Sequence, residues 1–304
     1  MFKLPGHPSR QASVCELADF MELWAMQERL VSCTEVLRYL GRIDENFHNE
    51  GCEDDDSDNA LVLDDVLNEL DRRSKACRGG YPFSLSVEGT RLRHQDSWSK
   101  PSSIYRYLLL STRLNMLTSK VHGGIDGTEL MEVLSAIVLK CYLGKNADSL
   151  VFGTALSGSF EKRVDTLCKS LGECGGFHPI DPAQVTAKDD KLDAVAWIPF
   201  PDEQPGQLIV FAQCKTGTNW QTLSSQLQPE AFGKRWLRRQ PLVPPMRAFC
   251  VAEVQDPTRW QGACLYAGIL FDRCRLVAFS DQVAIRQFNK WSRAALKSFR
   301  IVDG

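Results

Sequence analysis

The stretch Lys191-Leu-Asp-Ala-Val-Ala-Trp-Ile-Pro-Phe200 runs through Pro201-Asp-Glu-Gln-Pro-Gly206 into Gln207-Leu-Ile-Val-Phe-Ala-Gln-Cys-Lys215. Two apolar runs of strand length, rich in Val, Ile, Phe and Trp, flank a cluster of turn formers. The pattern predicts a hairpin with strands over 192–200 and 207–214. Upstream, Phe160, Val164, Leu167, Cys168 and Leu171 recur at helical spacing and predict a helix over about 157–171. Downstream, a helix is expected over 221–238, a strand over 247–253, a short strand over 275–280 and a closing helix over 282–298. Helix, hairpin, helix, strand is an α/β order.

The first half reads differently. Leu17, Phe20, Met21, Trp24, Leu30, Val31, Val36, Leu37 and Leu40 predict a helical region over 14–41. The acidic run Glu45–Asn59 reads as a solvated loop, followed by a helix over 61–73. Residues 81–89 alternate apolar and polar like a short strand. Helices are expected over 103–115 and 127–142, the second capped by Asp126. The division expected is a mainly helical region over 1–150 and an α/β domain over 151–304.

Composition narrows the class without naming a function. The chain has 304 residues, 43% hydrophobic and 24% charged, with a formal net charge of -2. Such a balance provides no overall basic field, so nucleic-acid binding would rest on local patches. The 11 cysteines form no C-x2-C pair and read as free thiols. Neither a signal-peptide core nor an apolar run of spanning length is present, so a cytoplasmic protein is expected.

Three segments carry candidate chemistry: Phe160-Glu161 opening a helix that ends in Leu171-Gly172, Asp193 opening one strand, and Gln213-Cys214-Lys215 ending its partner. This ordered set resembles the P-D-(D/E)-x-K restriction-endonuclease superfamily. Gln-x-Lys in place of Glu-x-Lys, with the upstream Phe-Glu, is similar to its Mrr-like branch. The resemblance covers about a third of the chain, from 152 to about 254. It implies a restriction-endonuclease-like mixed central sheet flanked by helices, and Mg2+- or Mn2+-dependent hydrolysis of DNA phosphodiesters. Asp193, the Gln213 amide, the backbone carbonyl of Cys214 and Glu161 would hold the ion, and Lys215 would orient water and stabilise charge on the phosphate. The general look is that of nuclease components of bacterial antiphage defence. Leu192 stands where the nominal motif has Pro, and the Gln-x3-Tyr of RecB-like exonucleases is missing after Lys215.

Strand alternation puts Gln213 and Lys215 on one face and Cys214 on the other. A hairpin symmetric about 201–206 would set Asp193 opposite Cys214, on the wrong face, so the site needs a bulge or a one-residue asymmetry in the turn. The basic segment Lys234, Arg235, Arg238 and Arg239 suits DNA phosphates, and equally suits a helix C-terminus. Asp54, Asp56, Asp58 and Asp65 match some offsets of a calcium loop, but Asn59 stands where its glycine belongs. His7, His48, His94, His122 and His178 form no ligand motif, and Cys214 has no evident His partner. Trp197 and Phe211 read as core. Alternative readings are a non-catalytic scaffold of nuclease fold that docks a motor ATPase, or an RNase; homo-oligomerisation is open to either.

Overall fold

The computed structural model describes all residues except 10, 42–52, 87–89, 97–98, 156, 182–189 and 302–304, and, of the helix starting at Glu53, not the side chains of 53–61 and 63. The elements, in chain order, are α1 (Val14–Glu28), β1 (Leu30–Ser32), α2 (Cys33–Tyr39), α3 (Glu53–Ala76), β2 (Phe83–Leu85), β3 (Arg91–His94), α4 (Lys100–Arg113), β4 (Val121–His122), β5 (Ile125–Asp126) and α5 (Gly127–Leu143). There follow β6 (Asp148–Val151), α6 (Phe160–Leu171), β7 (Ala194–Ile198), β8 (Leu208–Lys215), α7 (Pro229–Trp236), β9 (Met246–Val251), α8 (Trp260–Ala267), β10 (Ile269–Phe271), α9 (Arg273–Ala278) and α10 (Arg286–Leu296).

The main sheet has five strands in the order β10-β9-β8-β7-β6. β6, β7 and β8 are mutually antiparallel neighbours, whereas β8, β9 and β10 run parallel. The parallel pairs need crossovers, and α7 and α8 are the helices that make them. This is a mixed α/β architecture, and the predicted hairpin is present as β7–β8. A small sheet, β1-β3-β2, and the ribbon β4–β5 lie in the N-terminal half.

Two layers cover the sheet. On one side, Ala194, Ala196, Val210, Ala212, Cys214, Ala248 and Cys250 join a core that includes α5 residues such as Leu134 and Val138 and extends from Phe2 to Ile301. Small residues on the strands let α5 sit close. On the other side, Val195, Trp197, Ile209 and Phe211 pack with Phe160, Val164 and Leu167 of α6 and Phe232 and Trp236 of α7. A third cluster groups Trp220, Phe249, Val251 and Leu270. The boundary expected at 150/151 falls inside β6, and α5, which precedes it, packs on the sheet.

Local chemistry explains most element ends. Ser13 and Glu16 form a capping box at α1, and Ser32 and Glu35 form another at α2. The second box, with Arg29 at φ 70°, divides the region read as one helix over 14–41. Asp126 caps α5 through Thr128 N at 2.8 Å, as expected. Ser159 caps α6, and Gly172 ends it in the left-handed region at φ 68°.

Three expectations are corrected. Residues 53–58, read as loop, are the first turns of α3, a backbone that no calcium-binding turn can share; residues 45–52 lie outside the described residues. Residues 275–278 of the expected strand belong to a helix, because Asp272 caps α9 through Arg275 N at 3.1 Å; the strand is β10, just upstream. The helix over 221–238 is shorter: a 3-10 turn, Trp220–Leu223, precedes α7, which starts at Pro229. Finally, β6, β3 and α8 lacked a pattern long enough to read.

A buried ionic cluster ties the ends of the chain together. Asp19 on α1 bonds Arg73 of α3 at 2.7 Å, Arg113 of α4 at 2.7 Å and Arg273 of α9 at 2.8 Å, and all four side chains are almost fully buried. Glu22 takes Arg73 at 3.0 Å and the hydroxyls of Tyr81 and Tyr105, each at 2.8 Å. Burial opposes the Asp19 charge, but three guanidiniums outweigh it and hold the carboxyl far below its ordinary range. Glu22 is pushed up, by burial first and by Asp19 as well.

Candidate active site

The site is built from the hairpin outward. Ala194 pairs with Ala212, one residue away from the symmetric register. By alternation alone that shift would carry Asp193 onto the face of Gln213. The backbone does something further at Asp193: its N–H donates to the same Ala212 carbonyl at 2.9 Å, so two residues of β7 oppose one of β8. The clusters show this bulge. Leu192 and Val195 both lie in the α6–α7 core, while Ala194 lies in the α5 core; a regular strand would place Leu192 with Ala194.

The bulge decides where the carboxylate goes. Asp193 Oδ2 accepts the Cys214 N–H at 2.7 Å, and Asp193 is 5% exposed. Burial first, and its charge as well, raise the thiols of Cys214 and Cys250, both on the α5 side. Asp193 therefore sits at the end of β8, turned toward α5. The asymmetric register and the bulge offset one another, and the same-face arrangement of Asp193 with Gln213 is not formed. The Cys214 carbonyl leaves the strand on the same edge as its N–H, so it too projects past the end of β7.

Gln213 and Lys215 occupy the opposite face. Gln213 lies beside Phe249 in the register and two residues after Phe211. It has no exposed surface, and neither Oε1 nor Nε2 has a hydrogen-bond partner among the described residues. Lys215 ends β8 and is half-buried; its carbonyl accepts Ala252 N at 3.1 Å. Past it, Thr216 and Thr218 are buried, and Trp220 donates to Glu253 at 2.9 Å.

A carboxylate not anticipated from sequence joins Asp193. Glu132 of α5 is 6% exposed and accepts Thr154 Oγ1 at 2.9 Å and Ala155 N at 2.7 Å. The same loop touches Asp193, because Phe152 N and Gly153 N donate to the Asp193 carbonyl at 2.8 and 3.0 Å. Gly153 fits because a Cβ there would come within 2.5 Å of the Glu132 carboxyl. The only sequence signal was an acid set among the buried residues of α5. Burial first, then Asp193 and Glu132, push the Cys214 thiol well above its ordinary value, so it supplies no thiolate at neutral pH.

Glu161 is exposed on the first turn of α6 and makes no hydrogen bond or ion pair with the described residues. The basic segment divides. Arg235 bonds Asp190 at 2.6 Å, and Trp236 Nε1 donates to the same oxygen at 2.6 Å, which fastens the end of α7 three residues before Asp193. Lys234 is exposed. Arg238 and Arg239 lie beyond the helix, where their N–H groups donate to the carbonyls of Gly176 and Cys174, each at 3.0 Å.

Whether a divalent ion fits can be judged from these donors. Asp193 and the Cys214 carbonyl share one edge, but the Gln213 amide lies across β8. Among the described residues no three His, Cys, Asp or Glu side chains converge as a metal site. Two of the ligands that the resemblance implies, the Asp193 carboxylate and the Gln213 amide, thus stand on different faces of β8. No helix among the described residues is long and apolar enough to cross a membrane. No family model, curated protein or solved structure matches the chain.

Proposed function

We propose that this protein is a nuclease that hydrolyses DNA phosphodiesters, with the end of β8 as its working site. The observation that carries the reading is Gln213. A core position that serves packing alone takes an apolar residue, because leaving a buried amide unpaired costs about 1–3 kcal/mol. Among the described residues neither polar atom of Gln213 has a partner, and it stands two residues before Lys215. In this reading Lys215 meets the phosphate and the developing charge. Asp193, fixed by the Cys214 N–H, and Glu132 supply negative charge on the adjacent side. Mg2+ or Mn2+ is the cofactor that the resemblance implies, and a role in antiphage defence rests on the resemblance alone.

The test is cleavage of supercoiled plasmid by wild type and Lys215→Ala with Mg2+, Mn2+ or EDTA. Nicking that needs the metal and is lost in Lys215→Ala supports the proposal; nicking that survives the substitution sinks it.

The bulge at Asp193 favours a second reading, a nuclease-like binding subunit without catalysis that docks a partner such as a motor ATPase. It predicts no saturable Mn2+ binding that depends on Asp193. Calorimetric titration of wild type and Asp193→Asn decides between the two.

A further inference from the structure

Cys168 and Cys174 form a thiol pair unlike the others among the described residues. Cys168 lies in the last turn of α6, and Cys174 follows the Gly172 cap. Their side chains are 5% and 4% exposed, yet both line one open surface pocket of about 610 Å³ together with Asp165, Lys169, Glu173 and Arg239. The two sulfurs interact with each other, and the Gly176 N–H also reaches Cys168. By contrast, Cys77 and Cys274 also interact, but they sit inside the main core at 1% and 2% exposure. Cys214 and Cys250 face each other across β8 and β9 beneath α5.

The loop that carries Cys174 is unusual. Gly172, Cys174, Gly175 and Gly176 all have positive φ, at 68°, 74°, 73° and 96°. A cysteine in that region is uncommon. The loop is held there by specific bonds: Arg239 N to the Cys174 carbonyl, Arg238 N to the Gly176 carbonyl, and Leu242 N to Glu173 at 3.1 Å. The Cys174 contact and the Gly176 N–H favour the Cys168 thiolate, burial opposes it, and the balance lowers the Cys168 thiol below its ordinary value while Cys174 is raised.

We propose that Cys168 and Cys174 are a peroxide-reactive redox pair that closes to a disulfide. The Cys168 thiolate attacks one oxygen of a hydroperoxide; an S–O bond forms, the O–O bond breaks, and the departing alkoxide or hydroxide takes the proton that Cys168 released. Cys174 then attacks the sulfenic sulfur; the S–S bond forms, the S–O bond breaks, and hydroxide leaves with the Cys174 proton as water. Two thiols are oxidised and one peroxide is reduced to an alcohol or water plus water. The disulfide would tie the end of α6 to the loop that holds Arg238 and Arg239. This inference is independent of the nuclease reading.

The experiment uses the full chain, native, titrated with hydrogen peroxide, alkylated, digested with trypsin and mapped by mass spectrometry. Trypsin cuts after Lys169, so the two cysteines fall on separate peptides that only a disulfide joins. The expected result is joint, stoichiometric loss of alkylation at Cys168 and Cys174, a linked peptide pair, reversal by dithiothreitol, and continued protection of Cys77, Cys274, Cys214 and Cys250. Cys174→Ser should stop at a Cys168 sulfenic acid that dimedone traps. If both cysteines stay reduced, or Cys168 passes to the sulfinic acid with no linked pair in the wild type, the proposal is overturned. The wild-type map needs no variant to fold.

Discussion

At the scale of single residues, Gln213 sets function against stability. Its amide is buried between aromatic neighbours, and neither polar atom is paired among the described residues. Replacing it with an apolar residue of similar length removes that cost, so Gln213→Leu should stabilise the fold by about 1–3 kcal/mol while abolishing plasmid nicking. Urea unfolding and the cleavage assay measure the two effects on one sample. Loss of stability would mean that the amide has partners that matter for folding. The identity of Gln213 and Lys215, and their shared face, were legible from alternation alone. Where the Asp193 side chain points was not, because a bulge is a backbone event set by the neighbouring carbonyl, and nothing in Lys191-Leu-Asp-Ala spells it. Glu161 stands where the sequence pattern puts it, at the start of α6, with its side chain in solvent.

At the scale of elements, the loop after β6 is what couples α5 to the hairpin. Its N–H groups hold the Asp193 carbonyl on one side and the Glu132 carboxylate on the other. Gly153 is the point of closest approach. Gly153→Ala should therefore cost about 1–3 kcal/mol through overpacking, and the cost should shrink when Glu132→Ala opens the space. A double-mutant cycle by chemical denaturation reads that coupling, and additive losses would show that the contact is unimportant. Elements with long, regular patterns, such as α5, α6, β7 and β8, were readable because periodicity reports burial directly. β6 and β10, of four and three residues, were not, since strands that short carry no period. The segment 275–280 was misread as a strand because a helix of six residues buried on one side shows the same apolar spacing as a strand.

At the scale of the whole molecule, the ionic cluster around Asp19 joins N-terminal helices to C-terminal elements. Removing its central charge leaves three guanidiniums buried without it, so Asp19→Asn should destabilise by about 3–5 kcal/mol, visible as a lower urea midpoint. Glu253, at the edge of this cluster, adds a pH dependence. Burial first, and Asp19 next, push its carboxyl up to about 7, against Arg113 and the Trp220 N–H. A carboxyl raised on folding stabilises fully below its ordinary value of 4.5, and that contribution is lost as pH rises to about 7. Glu253→Gln should therefore flatten the stability profile between pH 4.5 and about pH 7; an unchanged slope would remove Glu253 as its source. None of this was legible in the sequence, because Asp19, Arg73, Arg113 and Arg273 are isolated charges until the fold collects them. The Asp19–Arg273 bond spans 254 residues. During synthesis, the first helices leave the ribosome long before Arg273 is translated, and Asp19 waits without one of its three partners. Arg73 and Arg113 reach Asp19 first, and the cluster is complete only once Arg273 has been made, so a chain cut short before Arg273 leaves this buried carboxylate one partner short.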